Sequence, residues 1–324
     1  MQIAAYKQTW PLDKPFRISR GVLTEAHVIV ATATDGNCVG RGESVPSARY
    51  DQTLDSVLKQ IGSLESEQNM DRDRLQNLLP PGAARNAVDC ALWDLEAKRS
   101  GKRVWELAGL TRVDEVPTSL TISLDTPKAM GASARNQGAP DLLKIKLGGD
   151  DLDLARVKAV HDAAPKARLL IDANESWSPE HYRELVPELS KLGVELIEQP
   201  FSAHLDAILQ RLDHPVLICA DESCHTTDDL ARLKNCYDMI NVKLDKTGGL
   251  TEAIRLVRNA RASGFKIMTG CMVCTSLGIA PARLLASVAD YVDLDGALLL
   301  AGDRHHGLQF QNGRIGLPAP ELWG

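Results

Sequence analysis

"LLKIKLGG", residues 142–149, sets two lysines inside a run that otherwise reads as a buried strand. Lys144 and Lys146 are two apart, so on an extended chain both project from the same face. Lysines on an exposed sheet edge discourage aggregation in this way. A site that needs a base would place them similarly, and the surrounding pattern separates the two cases.

From residue 115 or so, short apolar runs alternate with amphipathic helical stretches. The runs are "VPTSLTISL" (116–124), "LLKIKL" (142–147), "ARLLID" (167–172), "VELIEQP" (194–200), "PVLICAD" (215–221), "MINVKL" (239–244), "FKIMTG" (265–270) and "YVDLDG" (291–296). The helices between them carry clear punctuation. In "WSPEHYRELVPELSKLG" Ser178 is the N-cap, Pro179 takes the first helical position and Gly193 ends the helix. "DTPKAMGASARNQG" repeats the scheme with Asp125 or Thr126, Pro127 and Gly138. Eight near-continuous apolar strands separated by helices predict an α/β chain with a parallel sheet closed into a (β/α)8-type barrel. A doubly wound open sheet is the rival, but no G-x-G-x-x-G follows an early strand.

The first hundred residues differ. "PFRISRGVLTEAHVIVATATDGNCVGRGE" (15–43) reads as a meander of strands with an Asp35-Gly36 turn, and two helical runs follow. The second, "AARNAVDCALWDLEAKRSG" (83–101), has apolar residues at helical spacing, basic residues near its end and Gly101 as a stop. Strands with segregated helices predict an α+β module over residues 1–113, ahead of a barrel over 114–300 and a terminal segment over 301–324.

With 44% hydrophobic residues, 25% charged residues and a net charge of −6, the 324-residue chain has material for a sizeable core. It has no basic run suited to nucleic acid. No apolar stretch approaches the roughly 20 residues of a membrane span, and the N-terminus lacks a signal-peptide core. Seven scattered cysteines favour free thiols in a reducing cytoplasm. Cys271 and Cys274 form a lone C-x-x-C without the partners of a zinc or redox site.

Polar residues recur at strand ends: Lys146, Asp172, Glu198, Asp221, Lys243 and Asp293. The first four gaps are 26 (172 − 146), 26 (198 − 172), 23 (221 − 198) and 22 (243 − 221), one strand-helix unit each. A barrel gathers such ends at one mouth. Asp172, Glu198 and Asp221, on successive strands, would repel one another unless a cation held them, and all-oxygen ligation favours Mg²⁺. Lys146 lies one strand before these acids and Lys243 one strand after, so the two flank a bound carboxylate from opposite sides. Lys144 and a nearby dication are expected to depress the Lys146 pKa and favour its free-base form. Two opposed bases suit removal of a proton from one face of a carbon and its return to the other: racemisation or epimerisation beside a carboxylate, with the metal stabilising the enediolate.

"KIK", "DANESW", "IEQP", "ADES", "NVKLDKTGG" and "DLDG", together with "PPGAARNAVDCALWDL", resemble the enolase superfamily, in its muconate-lactonising subgroup and most closely its bacterial dipeptide epimerases. The resemblance runs over nearly the whole chain and implies that the N-terminal α+β module is a capping domain, to which a C-terminal segment returns. It also implies Asp172, Glu198 and Asp221 as ligands of one Mg²⁺ per subunit, and Lys146 and Lys243 as the acid/base pair. Lys246 is the rival in "KLDK", expected to be structural or surface. Asp293 and Asp295, two apart, match the pair that receives a substrate amine in those epimerases. Arg20, in a cap loop that closes over the barrel in this family, would clamp a second carboxylate. Thr121, Cys271 and Met272 match pocket-lining positions, beside Lys144.

An amine receptor and a carboxylate receptor together describe a dipeptide ending in glutamate. The implied reaction interconverts L-Ala-D-Glu and L-Ala-L-Glu in recycling of cell-wall peptides. The partner is this small molecule rather than a nucleic acid or membrane, and a homo-oligomer is allowed for. One departure is Cys274, where many subgroup members carry an acid, which weakens a cycloisomerase reading. N-acylamino-acid racemase and o-succinylbenzoate synthase share the machinery but account less well for the Asp293/Asp295 pair. A Schiff-base lyase built on a lone lysine, or a non-catalytic binding barrel, leaves the three acids unexplained.

Overall fold

The computed structural model describes residues 1–324 apart from 68 and 139. Its N-terminal part pairs β1 (Gln2–Ile18), β2 (Gly21–Asp35) and β3 (Cys38–Ser44) in one antiparallel sheet. Asp35 pairs with Cys38, so the tight loop is Gly36-Asn37, one residue later than expected. The helices are α1 (Leu54–Gly62), α2 (Arg72–Leu78), α3 (Ala83–Ser100) and the single turn α4 (Val104–Ala108), rather than two runs. Gly101, at φ 68°, ends α3 as its sequence predicts. β2 is buried on both faces. Ile29, Ala31 and Ala33 pack with α1, α2 and α3, whereas Val28 and Val30 join the core that continues into the barrel. Gly40 and Gly42 on β3 let α3 come close: a Cβ there would stand 2.1 Å from Ala91 O or 2.2 Å from Ala87 O.

After the short β4 (Glu115–Pro117), eight parallel strands form one sheet in sequential order. They are β5 (Leu120–Ile122), β6 (Leu142–Lys146), β7 (Arg168–Asp172), β8 (Val194–Glu198), β9 (Leu217–Ala220), β10 (Met239–Lys243), β11 (Lys266–Gly270) and β12 (Tyr291–Asp293). All eight coincide with the apolar runs. Between them lie α5 (Pro127–Asn136), α6 (Asp153–Ala163), α7 (Pro179–Lys191), α8 (Leu230–Leu233), α9 (Leu244–Thr247), α10 (Leu250–Ala262) and α11 (Ser276–Leu284). Thr126 and Ser178 cap α5 and α7 through their hydroxyls, each followed by proline. The 26-residue intervals hold full helices. The shorter ones hold a 3-10 stretch, Ala203–Arg211, after β8 and only the four-residue α8 after β9. The strand ladder runs from β5 to β12, and Ser119 N donates to Val292 O at 2.9 Å across the remaining seam. β13 (Phe310–Gln311) and β14 (Arg314–Gly316) pair with β4. The terminal residues reach the cap, where Trp323 Nε1 donates to Cys90 O at 3.0 Å.

Candidate active site

Strand periodicity builds the site from its floor upward. Leu142, Leu170, Leu196, Cys219, Met239 and Met268 form a separate buried cluster, an apolar plug inside the barrel. Two residues further along each strand, on the same face, stand Lys144, Asp172, Glu198, Asp221, Asn241 and Gly270. Another step of two reaches Lys146 and places Lys243 beyond Asn241. The intervening Leu143, Ile145, Ile171, Ile197 and Val242 face the other way, into the core shared with the helices.

Above the plug lies a cavity of about 380 Å³. Lys144, Lys146, Asp221, Lys243, Asp293 and Asp295 line it from the barrel, and Arg20 lines it from the turn between β1 and β2. Thr121, Cys271 and Met272 line it too. Asp172 and Glu198 are fully buried behind this wall. Lys146 and Lys243 thus sit four strands apart in an eight-stranded sheet and face one space.

Buried opposite charges fill the region. Lys146 Nζ donates to Asp172 at 2.5 Å, and Lys243 Nζ donates to Asp221 at 2.6 Å and lies 4.0 Å from Glu198. Lys144 Nζ donates to Asp293 at 2.6 Å and stands 2.5 Å from Glu198 and 3.3 Å from Asp172. Lys246 is buried rather than on the surface, donating to Asp221 Oδ1 at 2.6 Å and Asn241 O at 3.0 Å. Burial alone would lower the Lys144 and Lys243 pKa values, but the surrounding acids outweigh it and hold both well above the usual range. Burial alone would raise Asp172 and Asp221, and the lysines reverse it. Glu198 goes the other way: burial, then the Asp172 charge, push its carboxyl up to about 8. Asp295, buried beside Asp293, rises to about 6.

The donor set suits a hard cation. It is all oxygen, and Asp172, Glu198 and Asp221 stand at the ends of three neighbouring strands. Glu198 Oε2 pairs with Lys144 without hydrogen-bond geometry, and Asn241 Oδ1 beside it is buried with no donor. Among the described residues no three acidic, histidine or cysteine side chains form a ready cage. Ammonium groups stand between the acids instead.

The family model described as "Mandelate racemase / muconate lactonizing enzyme, N-terminal domain" matches residues 1–109, and "Enolase C-terminal domain-like" matches 129–320. The chain belongs to the enolase superfamily. It is an isomerase, of the epimerase and racemase kind. It is 44% identical to an L-Ala-D/L-Glu epimerase of Escherichia coli over 97% of this chain and 99% of that one. It is also 45% identical to an N-acetyl-D-glutamate racemase of a Pseudoalteromonas species, over 92% and 95%. An enolase-family structure from Agrobacterium tumefaciens, with bound sodium and L-Ala-L-Glu and with homology to dipeptide epimerases, superposes with a TM-score of 0.97. It is 47% identical and covers 99% of each chain. A dipeptide epimerase from Enterococcus faecalis, complexed with Mg and L-Leu-L-Tyr, is 28% identical with a TM-score of 0.91, covering 99% and 98%.

In this superfamily member, sequence reading missed several groups at the mouth. Glu222 and Asn174 line the cavity, as do Arg49 and Tyr50 of the cap. Glu222 directly follows Asp221 in "ADES" and Asn174 lies two past Asp172 in "DANES", so proximity to the strand ends was a usable signal. "SARYD" offered none. Asp295 lies beyond β12, where Thr121 N donates to it at 2.6 Å and Thr121 Oγ1 at 3.2 Å. Cys271 faces the cavity and Cys274 is buried behind it.

Proposed function

We propose that this isomerase is a dipeptide epimerase that interconverts L-Ala-D-Glu and L-Ala-L-Glu by two-base 1,1-proton transfer. The placement of Lys146 and Lys243 across one cavity carries the reading. Asp172, Glu198 and Asp221 would hold one Mg²⁺ per subunit. When bound, the ion supplies positive charge against the substrate carboxylate as the α-proton leaves. Lys146 and Lys243 each reach one face of that carbon, one taking a proton and the other giving one. Lys144 balances the buried acids and orients Lys146. Asp293 and Asp295 receive the dipeptide amine, Arg20 the glutamyl side-chain carboxylate, and Thr121, Cys271 and Met272 shape the wall.

The reading divides the chain into a cap over 1–113, a barrel over 114–300 and a returning segment over 301–324. It places the enzyme in the cytoplasm, in recycling of cell-wall peptides, with a small-molecule partner. No helix among the described residues is long and apolar enough to cross a membrane.

The test is incubation with L-Ala-L-Glu and Mg²⁺ in D₂O, followed by NMR and chiral analysis. Deuterium should enter the glutamyl α-carbon with inversion there. Inert dipeptide alongside racemised N-acetylglutamate would move the assignment to an N-acylamino-acid racemase.

A further inference from the structure

Cap and barrel meet over the mouth in an ion network that the proton transfer does not itself use. Arg20 Nη2 donates to Glu222 Oε1 at 2.7 Å, and its Nη1 donates to Glu175 Oε2 at 3.1 Å and Asn174 O at 2.9 Å. Arg49, in the 3-10 turn Ala48–Tyr50, grips the same Glu175 through two bonds, Nε at 2.8 Å and Nη2 at 2.6 Å. Ser19 Oγ adds a bond to Asn174 O at 3.1 Å. The acids are buried: their side chains are 7% and 2% exposed for Glu175 and Glu222, against 36% for Arg20. Asn174 (φ 45°) and Glu175 (φ 65°) are consecutive left-handed residues, a backbone that costs energy for a glutamate and persists only where its surroundings enforce it.

A guanidinium has five N–H donors. The three bonds above fall on Nη1 twice and on Nη2 once. Among the described residues, Arg20 Nε donates to no protein acceptor and Nη2 donates to one. Those two groups form the edge with which a guanidinium takes a carboxylate side-on.

We infer that Glu175 and Glu222 are positioning residues for Arg20. They fix its guanidinium over the cavity with one bidentate edge free, and so select substrates whose epimerised residue carries a side-chain carboxylate. The inference rests on the reading of Arg20 as the carboxylate clamp. An uncharged side chain at that place would leave the edge unpaired at a half-buried position, and a mobile Arg20 would have to be ordered at each binding event.

The experiment is a cycle of Glu175→Ala, Arg20→Ala and the double variant, each assayed at saturating Mg²⁺ with L-Ala-L-Glu and with its neutral isostere L-Ala-L-Gln. Each single change should raise KM for L-Ala-L-Glu about tenfold without raising KM for L-Ala-L-Gln, which Arg20→Ala should leave level or lower because the unpaired edge is gone. The double variant should be no worse than Arg20→Ala, because Glu175 acts through it. Glu222→Gln should repeat the selective rise in KM without disturbing the 174–175 turn. Additive effects, equal losses on both dipeptides, or a lowered KM for L-Ala-L-Glu would overturn the inference. A wild type that acts only on N-acetylglutamate refutes the dipeptide reading instead, and the same cycle read on that substrate still decides the role of Glu175. Activity on neither compound sinks both.

Discussion

Replacing Lys144 by methionine isolates the electrostatics of the site from its packing. The two side chains are similar in length, and Lys144 is 1% exposed, so shape is largely kept while the ammonium is lost. That ammonium stands within 3.3 Å of Glu198, Asp293 and Asp172 at once. Removing one partner of a buried pair leaves uncompensated charge and costs about 3–5 kcal/mol. In a chain of this size that lowers the melting temperature by roughly 4–7 °C. The loss should be largest in EDTA and partly reversed by Mg²⁺, because a ligand at about 100 times its Kd adds about 2.7 kcal/mol. Differential scanning fluorimetry of wild type and Lys144→Met, with chelator and with magnesium, reads all four states. A metal-free variant that melts within a degree or two of the wild type would refute the claim that Lys144 compensates these acids.

Lys146→Ala and Lys243→Ala should each abolish epimerisation, and each should still exchange the α-proton of one stereoisomer in D₂O; full activity in either would dismiss the two-base scheme. Glu43 of β3 accepts from Thr275 N at 2.8 Å, at the start of α11, and from Arg304 Nη2 at 2.5 Å, and it is 1% exposed. Glu43→Ala should therefore cost about 3–5 kcal/mol and loosen the C-terminal segment, seen as faster proteolysis beyond residue 300. Stability without metal should fall as pH rises from 5 to 8. The Glu198 carboxyl at about 8 and those of Asp89, Asp245 and Asp295 at about 6 are all raised by burial, so the folded state binds more protons than the unfolded one in that window. A melting temperature that climbs across it in EDTA would contradict that sign.

The barrel was legible because its signal repeats. Each strand is a short apolar run, each run ends in a polar residue, and the spacing between ends matches one strand-helix unit. The site was legible for the same reason, since Lys146, Asp172, Glu198 and Lys243 are the last residues of their strands. What failed to show was whatever depends on contacts between distant loops. Arg49 and Tyr50 sit in a 3-10 turn with no periodic pattern, and only the docked cap brings them to the cavity. Lys246 follows Lys243 closely and reads from sequence as structural or surface; the four-residue α9 turns it back under Asp221. Sequence spacing could not register that reversal.

The acids assigned to the substrate amine also close the barrel. Among the described residues, the backbone between β12 and β5 provides a single bond, Ser119 N to Val292 O. Ser119 Oγ donates to Asp293 at 2.5 Å, Thr121 N to Asp295 at 2.6 Å, and Leu294 N to Thr118 Oγ1 at 2.9 Å. Asp293 and Asp295 thus stand where first and last strands meet, replacing ladder bonds that the short β5 and β12 cannot make. Each carboxylate oxygen can accept more than one bond, so holding the seam leaves capacity for an ammonium. Closing the sheet through side chains rather than backbone puts two rigid acids at the mouth without a longer strand. Removing either acid would open the seam as well as unbind the amine, so the amine-receptor role is separable only by a substrate change: a des-amino dipeptide should weaken in the wild type with the fold intact.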